Sequence, residues 1–368
     1  MKQTGINIKS IKSNNESALL YLLNSEKALS RKEIAARLEL TPAAVTKISK
    51  RLIDEGCIRE IGEAEISEAK AGRREILLTL NAEEKLILGI NAEAQAITLS
   101  VSDISGRLLL REALPFCNNV QEVIGKAEEF LKGFERKRDI IGIGVCVIGS
   151  PGQDDFGVWK DGALAEKFEA AFGLPCAVEN NVKAFALSEL IYGSTKNEES
   201  VLFLKWGYGI GSAVIANGRV FSGGDSSVTE IGHYIVNPGG RRCRCGRYGC
   251  LETVASAEEI IKEAGESLTV EELAATKDER IINIIDEKID LVALALTNTA
   301  TILNAQNIVF FGAMFYNKDI AKKLSKQCLR YNGNLKSSML RISALNEKSD
   351  YIGATAAAAQ KFFFEKQF

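Results

Sequence analysis

One short stretch of the chain holds its single histidine and three of its eight cysteines. Their order is His-x9-Cys-x-Cys-x4-Cys, formed by His233, Cys243, Cys245 and Cys250. Thiolate and imidazole groups are preferred zinc ligands, and four of them make a closed tetrahedral site. The residues between the cysteines are polar and glycine-rich, so this loop is too short to fold without a cross-link. The spacing therefore predicts a structural zinc ion.

The alternative is three reduced cysteines beside a core histidine. Four neighbouring arginines favour ionised thiolates and so favour the metal; they are Arg241, Arg242, Arg244 and Arg247. The first residues also lack the apolar run of a secretion signal, which makes metal ligands a better reading of clustered cysteines than disulfides.

We expect a cytoplasmic protein. No membrane association is expected either, because the longest uncharged stretch, Leu291–Asn317, is rich in Thr and Asn.

A second group of residues, near the N-terminus, could contact DNA. Ser30 and Glu33 form a capping box that starts one short helix. Thr41, followed by Pro42, caps the next helix. This second helix places apolar residues on one face and small, hydroxyl and cationic residues on the other. Such a pair of helices joined by a tight turn is typical of a helix-turn-helix.

Two alternating runs flank the sequence Ala71-Gly72-Arg73-Arg74 and predict a two-stranded wing with a basic tip. The candidate DNA-contacting residues lie on the exposed helix face and at this tip. They are Thr41, Ala43, Ala44, Thr46, Lys47, Lys50, Arg51, Arg73 and Arg74. The alternative is a helical cap or dimerisation bundle whose lysines only face solvent.

Charge is distributed unevenly along the 368 residues, although the net charge is only −2. Residues 1–81 contain 14 Lys and Arg against 11 Asp and Glu, whereas residues 82–368 contain 32 against 37. A basic front on an acidic body indicates that only the front meets a polyanion such as double-stranded DNA. The length predicts two or three domains.

From Leu86 onward, short apolar runs of strand character alternate with helix-like segments. Three strand-like runs followed by a helix occur twice, which predicts an α/β fold of two similar lobes with a cleft between them. The predicted helices include residues 121–138, 182–192 and 281–303.

The motif around the cysteines resembles the ROK family of repressors, open reading frames and sugar kinases. The resemblance rests on Glu-x-x-His and Cys-x-Cys-Gly-x-x-Gly-Cys-x-Glu between Glu230 and Glu252, and it spans about residues 86–360. Further motifs agree with it: Gly149-Ser150-Pro151-Gly152, Glu179-Asn180-Asn181 and Gly207-Tyr208-Gly209-Ile210-Gly211. The N-terminal winged helix is similar to the repressor branch.

This resemblance implies an actin-like (ribonuclease H-like) sugar-kinase fold of two lobes, preceded by the winged helix-turn-helix. It implies a DNA-binding domain at residues 1–81 and a sugar-binding body at 82–368. The lobes of the body divide near residues 195 and 196, and the C-terminal helix returns to the first lobe. The implied sugar contacts are Gly152, Asn180, Asn181, Glu230, His233 and Glu252. Surface salt bridging is the alternative role for the two glutamates.

The sequence departs from the kinases of this family at the nucleotide site. Their phosphate turn, Asp-x-Gly-Gly-Thr, is replaced here by Asn91-Ala92-Glu93-Ala94-Gln95. Tyr208 replaces a small hydroxyl residue, and the late glycine pair is reduced to Gly312-Ala313. Asn181 stands where the kinases have their aspartate base, and an amide cannot accept a proton near neutral pH. The sequence therefore predicts that phosphoryl transfer is lost.

These features predict a sugar-responsive repressor that binds operator DNA as a dimer or tetramer and takes xylose or another sugar as effector. Two alternatives stay open. One is an active sugar kinase with an attached DNA-binding domain. The other is a DNA-binding regulator whose cleft binds a protein partner or no ligand.

Overall fold

The fold was analysed in a computed structural model that describes residues 8–63, 75–149, 159, 163–195, 198, 200–221, 230–348 and 350–365. Within these residues, no helix has the length and apolar character required to span a bilayer. Three sheets organise the chain, one small sheet near the N-terminus and two five-stranded sheets after it.

The N-terminal part combines three helices with a three-stranded sheet of order β1-β3-β2. Its elements are α1 (Ile8–Glu26), β1 (Leu29–Ser30), α2 (Arg31–Arg37), α3 (Pro42–Asp54), β2 (Ile58–Glu63) and β3 (Ile76–Leu80). The side chain of Ser30 accepts from the Glu33 amide in the predicted capping box, and Thr41 caps α3. Val45, Ile48 and Leu52 of α3 are buried, so the predicted apolar face points inward.

The first large sheet has the order β6-β5-β4-β7-β8. The elements of this region are β4 (Leu86–Ala92), β5 (Ala96–Asp103), β6 (Leu108–Pro115), α4 (Val120–Phe130), β7 (Ile140–Val147), α5 (Leu164–Phe172), β8 (Cys176–Asn180) and α6 (Asn181–Tyr192). Strands β4, β7 and β8 are parallel, and β5 and β6 are antiparallel additions. Every residue of β4 is buried, as expected of a central strand covered on both faces.

The second large sheet repeats this arrangement with the order β11-β10-β9-β12-β13. Its region contains β9 (Ser200–Trp206), β10 (Ile210–Ala216), β11 (Arg219–Val220), α7 (Glu252–Ala255), α8 (Ala257–Ala264), α9 (Val270–Ala274), α10 (Glu279–Leu303), β12 (Asn307–Phe311), α11 (Lys318–Tyr331), β13 (Leu340–Ile342) and α12 (Ile352–Ala359). A π-helical turn, Gln360–Phe364, extends α12. Two sheets of equal strand order match the predicted two-lobed actin-like fold.

Helix α12, although last in the chain, packs on β4 and β7 of the first large sheet. Close contact is possible because Gly144 of β7 has no side chain: a Cβ there would lie 1.9 Å from the carbonyl oxygen of Ala354. Ser102 of β5 and Thr355 share a buried hydrogen bond of 2.6 Å. The C-terminal helix therefore completes the layer over the first sheet.

One predicted helix is shorter than expected. The apolar pattern predicts a helix over residues 121–138, but α4 ends at Phe130 and the chain turns through Gly133, whose φ is +83°. Glycine reaches this left-handed conformation without a steric penalty, so it ends helices readily.

Candidate functional site

A cavity of about 590 Å³ lies between the two large sheets, within the size range of small-molecule sites. Five of the six residues expected to contact sugar line this cavity: Asn180, Asn181, Glu230, His233 and Glu252. The sixth, Gly152, lies outside the described residues. These five come from three separate segments of the chain, so the fold alone brings them together.

The first turn of α6 presents two amides to the cavity. Asn180 caps the helix by accepting from the Lys183 amide at 3.1 Å, and its Nδ2 donates to the Gly149 carbonyl at 2.9 Å. The next residue, Asn181, is buried and donates from Nδ2 to Glu93 Oε1 at 3.0 Å. An amide offers both a donor and an acceptor, which suits a sugar hydroxyl.

Glu93 follows β4 and forms an ion pair across the cleft with Lys205 of β9, with Nζ 2.8 Å from Oε2. The two residues come from different large sheets, and their side chains are 30% and 18% exposed. Glu93 belongs to the segment 91–95, which the ROK resemblance aligns with the phosphate-binding glycine turn of the kinases.

The opposite wall of the cavity holds Glu252, the first residue of α7. One carboxylate oxygen of Glu252 accepts from the Ile210 amide at 3.2 Å, and the other lies 2.8 Å from Arg244. Burial, with the charge of Glu252, raises the pKa of the Glu230 carboxyl above its usual value. Glu252 thus forms the ion pair that the salt-bridge alternative predicts, and it also accepts from a backbone amide, whereas Glu230 is desolvated.

The ligand atoms of His233, Cys243, Cys245 and Cys250 all lie within 4.8 Å of one another. His233 Nδ1 is 3.5 Å from Cys243 Sγ, and the sulfurs of Cys245 and Cys250 are 3.6 Å apart. Zinc–sulfur bonds of about 2.3 Å and zinc–nitrogen bonds of about 2.0 Å in a tetrahedron require separations of about 3.5–3.8 Å. The donor set and its spacing therefore fit a metal ion.

The cysteine loop turns tightly enough to gather these ligands. Gly249 adopts a φ of +71°, and a Cβ on it would lie 1.5 Å from the Asn237 carbonyl oxygen. Single bridges pair Ile235 with Cys250 and Arg242 with Tyr248. Burial raises the pKa of the Cys250 thiol, so a thiolate at this position requires a cation beside it.

In the N-terminal domain, Thr46, Lys47 and Lys50 of α3 are exposed on one face, as expected of DNA contacts, and so are Thr41 and Ala43. Ala44 is partly buried. The guanidinium of Arg51 instead pairs with Glu16 of α1 and Glu55. Glu16 is 4% exposed, so this contact ties α3 to α1 inside the domain. Arg73 and Arg74, the predicted wing tip, lie outside the described residues.

The sequence motifs assign no role to Lys205 and include Glu93 only in the segment that replaces the phosphate turn of the kinases. Nothing in the spacing of residues 93 and 205 indicates that they meet. The sequence contains a partial signal for Lys205: a lysine directly after the apolar run 201–204 is an unusual residue for a buried strand.

Comparison with known proteins supports the resemblance found in the sequence. The model of the ROK family matches residues 87–361, and that of the MarR family matches residues 12–60. The Escherichia coli regulator "DNA-binding transcriptional dual regulator NagC" is 30% identical over 263 residues, which cover 68% of this chain and 64% of that protein. The chain thus spans less than two thirds of this relative's length.

Two further proteins match along nearly the whole chain. The xylose repressor of Bacillus subtilis is 24% identical, with 96% of each chain covered. A crystal structure of a ROK family transcriptional regulator, a homologue of the E. coli MLC protein, superposes with a TM-score of 0.80 at 25% identity and covers 97% of this chain and 98% of its own. With the family model spanning both large sheets, the chain belongs to the ROK family.

Proposed function

We propose that this protein is a sugar-responsive transcriptional regulator that binds operator DNA through its winged helix-turn-helix. In this proposal the protein acts as a homodimer and binds a sugar in the cleft between the two large sheets. The DNA-binding domain comprises residues 1–81, the body comprises residues 82–368, and the lobes of the body meet near residue 195.

The observation that carries the proposal is the convergence of Asn180, Asn181, Glu230, His233 and Glu252 on one cavity. Amides and oriented carboxylates supply the paired donors and acceptors that a sugar's hydroxyls require. The exposed face of α3 adds a surface suited to DNA on the same chain. The xylose repressor of Bacillus subtilis matches both regions of the chain, and its name refers to a sugar and to repression.

A structural zinc ion would be held by His233, Cys243, Cys245 and Cys250. Bound there, it would supply a cross-link for a loop that holds Arg244 against the sugar-side carboxylate Glu252. With one nitrogen of the His233 ring on the metal, the other would be left to face a hydroxyl. The metal would thus shape the cavity without taking part in chemistry.

Phosphoryl transfer is not part of the proposed function. The amide of Asn181 cannot act as the general base, and the loss of such a base costs a factor of about 10²–10⁴ in rate. Glu93 also supports this proposal, because the resemblance aligns its segment with the turn whose backbone amides would bind phosphate in a kinase. Two separate features therefore oppose catalysis while leaving the sugar side intact.

A ligand panel tests the proposal directly. Xylose, glucose, N-acetylglucosamine and their phosphates are added to the full-length protein, and the unfolding temperature is recorded. A ligand at 100 times its dissociation constant is expected to add about 2.7 kcal/mol to the free energy of unfolding. Calorimetry with Mg-ATP in the presence of the best sugar is expected to show no binding.

Other results of these two experiments would support the alternative functions. ATP turnover with a sugar would make the protein a kinase with an attached DNA-binding domain. A panel without any stabilising sugar would favour a regulator whose cleft takes a protein or nothing. A sugar that stabilises the protein and changes its affinity for DNA would support the proposal.

Lys47→Ala is expected to weaken binding to all duplexes about equally. An exposed lysine on this face neutralises one phosphate, so its loss reduces the slope of log affinity against log salt by about one. The slope is measured by fluorescence anisotropy between low and moderate salt. Lys322→Ala, which removes the same charge from exposed α11 of the body, is the control. An unchanged slope in Lys47→Ala would remove this residue from the DNA interface.

A further inference from the structure

Helix α6 lies between the two large sheets and is buried on nearly all sides. It contacts β7 and β8 of the first sheet, β10 and β11 of the second, and α12. Two glycines allow close approach: a Cβ on Gly211 would lie 2.6 Å from Val182, and one on Gly353 would lie 2.9 Å from Phe185. A helix packed this tightly moves as a unit, because close-packed interiors transmit displacement.

The N-terminal end of α6 forms part of the cleft and is tied to both sheets. Asn181 donates to Glu93, and Glu93 in turn pairs with Lys205 of the second sheet. A ligand that hydrogen-bonds Asn181 therefore contacts a residue that is one hydrogen bond away from the ion pair spanning the two sheets. Binding in the cavity and the position of α6 are for this reason linked.

The C-terminal end of α6 meets the DNA-binding domain. Asn24 of α1 donates from Nδ2 to the carbonyl oxygen of Ile191 at 2.7 Å. The last four carbonyls of a helix have no partner within it, so this contact also satisfies one of these carbonyls of α6. One turn earlier in α1, Tyr21 stacks on Phe364 with ring centroids 4.8 Å apart. These contacts fix α1 on the body.

From α1 a further contact leads to the proposed DNA-reading helix. Glu16 of α1 is buried and pairs with Arg51 of α3. The exposed lysines of α3 lie one turn or less before Arg51 in the sequence. A displacement of α1 thus reaches α3 through a buried ion pair within the same small domain.

We propose that α6 is a rigid rod that transmits sugar binding from the cleft to α1 and α3, with Asn24 as the positioning residue at the junction. The 12 residues of α6 span about 18 Å. This inference rests on the proposed function, and it adds the route by which the same cleft regulates DNA affinity.

The experiment measures coupling in the full-length chain. A DNA duplex is selected by the protein from a random-sequence pool, and its dissociation constant is measured with and without xylose or N-acetylglucosamine. Three variants are compared with the parent: Asn24→Ala, Asn24→Gln and Ser25→Ala. The last is the matched control, because the Ser25 hydroxyl donates to the Leu22 carbonyl within α1.

We expect the sugar to change DNA affinity by about 5–150-fold in the parent and in Ser25→Ala. In Asn24→Ala this factor falls to within about twofold of one, whereas the affinities for sugar alone and for DNA alone stay within about threefold of the parent. Asn24→Gln, which keeps the donor, restores part of the coupling. Because linkage is reciprocal, DNA changes sugar affinity by the same factor in each variant.

Three outcomes overturn the inference. Full coupling in Asn24→Ala would show that α1 receives no signal through this contact. Loss of DNA affinity in Asn24→Ala without sugar would show a role in domain folding instead. If no sugar changes the DNA affinity of the parent protein, the proposed function itself is wrong. This result can be distinguished from a parent that responds to sugar and an Asn24→Ala variant that does not.

A double-mutant cycle tests transmission through α6 in the absence of sugar. Glu93→Gln weakens the ion pair with Lys205 and is expected to change DNA affinity at least threefold, although residue 93 lies in the cleft. Adding Asn24→Ala is expected to cancel that change. Additive effects of the two substitutions, or no effect of Glu93→Gln on DNA affinity, would contradict transmission through α6.

Discussion

Replacing Cys250 by serine is expected to abolish binding of the proposed zinc ion and to lower sugar affinity by about 100-fold. Cys250 is fully buried, and its replacement leaves only three of the four proposed metal ligands in the cluster. Without the cross-link, the loop no longer holds Arg244 against Glu252, so one wall of the cavity is lost. The free energy of unfolding is expected to fall by about 3 kcal/mol. Metal content, thermal unfolding and sugar binding check these expectations together.

Cys117→Ser provides the control, because it makes the same chemical change at a partly exposed thiol outside the cluster. This variant should keep about one equivalent of zinc and the parent's sugar affinity. Chelation of the parent protein at neutral pH should reproduce the Cys250→Ser result. A chelated protein that keeps its melting temperature and binds sugar normally would contradict a structural zinc site.

Gly144→Ala is expected to destabilise the protein by about 3 kcal/mol, a large effect for one methyl group. The added Cβ would lie 1.9 Å from the Ala354 carbonyl oxygen, and a backbone atom of α12 cannot turn aside as a side chain can. Helix α12 must therefore move away from β7, which opens the layer over the first large sheet. Urea unfolding of the full-length chain measures the loss.

Gly125→Ala is the matched control, and its effect on the free energy of unfolding is expected to have the opposite sign. Gly125 lies within α4, and nothing is within 4 Å of the added Cβ. Alanine is a better helix former than glycine by about 1 kcal/mol, so this variant should be as stable as the parent or more so. Equal stability of the two alanine variants would mean that α12 does not pack on β7 as described.

Much of the local structure can be predicted from neighbouring residues. The capping box at Ser30 and the cap at Thr41 each involve atoms only three residues apart, so their sequence pattern is sufficient. The buried strands are similarly visible as apolar runs bounded by polar residues. Strand order is different, because β9 pairs with β12 about 100 residues later and many alternative pairings bury the same surface.

The predicted DNA contacts illustrate what a sequence pattern cannot predict. Helical periodicity predicts that Lys47, Lys50 and Arg51 are all available to DNA, since all three are cations near one face of α3. The structure leaves Lys47 and Lys50 exposed but pairs Arg51 with Glu16 and Glu55. Periodicity reports the direction of a side chain from its own helix and carries no information about the helix packed against it.

The cluster of His233 and three cysteines and the helix-turn-helix could be predicted from the order of residues, because each is complete within about 20 positions. The contacts Glu93–Lys205 and Asn24–Ile191 could not be predicted from the sequence pattern and are determined by the tertiary structure. Each joins segments more than 100 residues apart, and many other glutamates, lysines and asparagines in the chain have the same chemistry. Which of them meet is set by how the sheets and α6 pack, and packing depends on the shape of the whole chain.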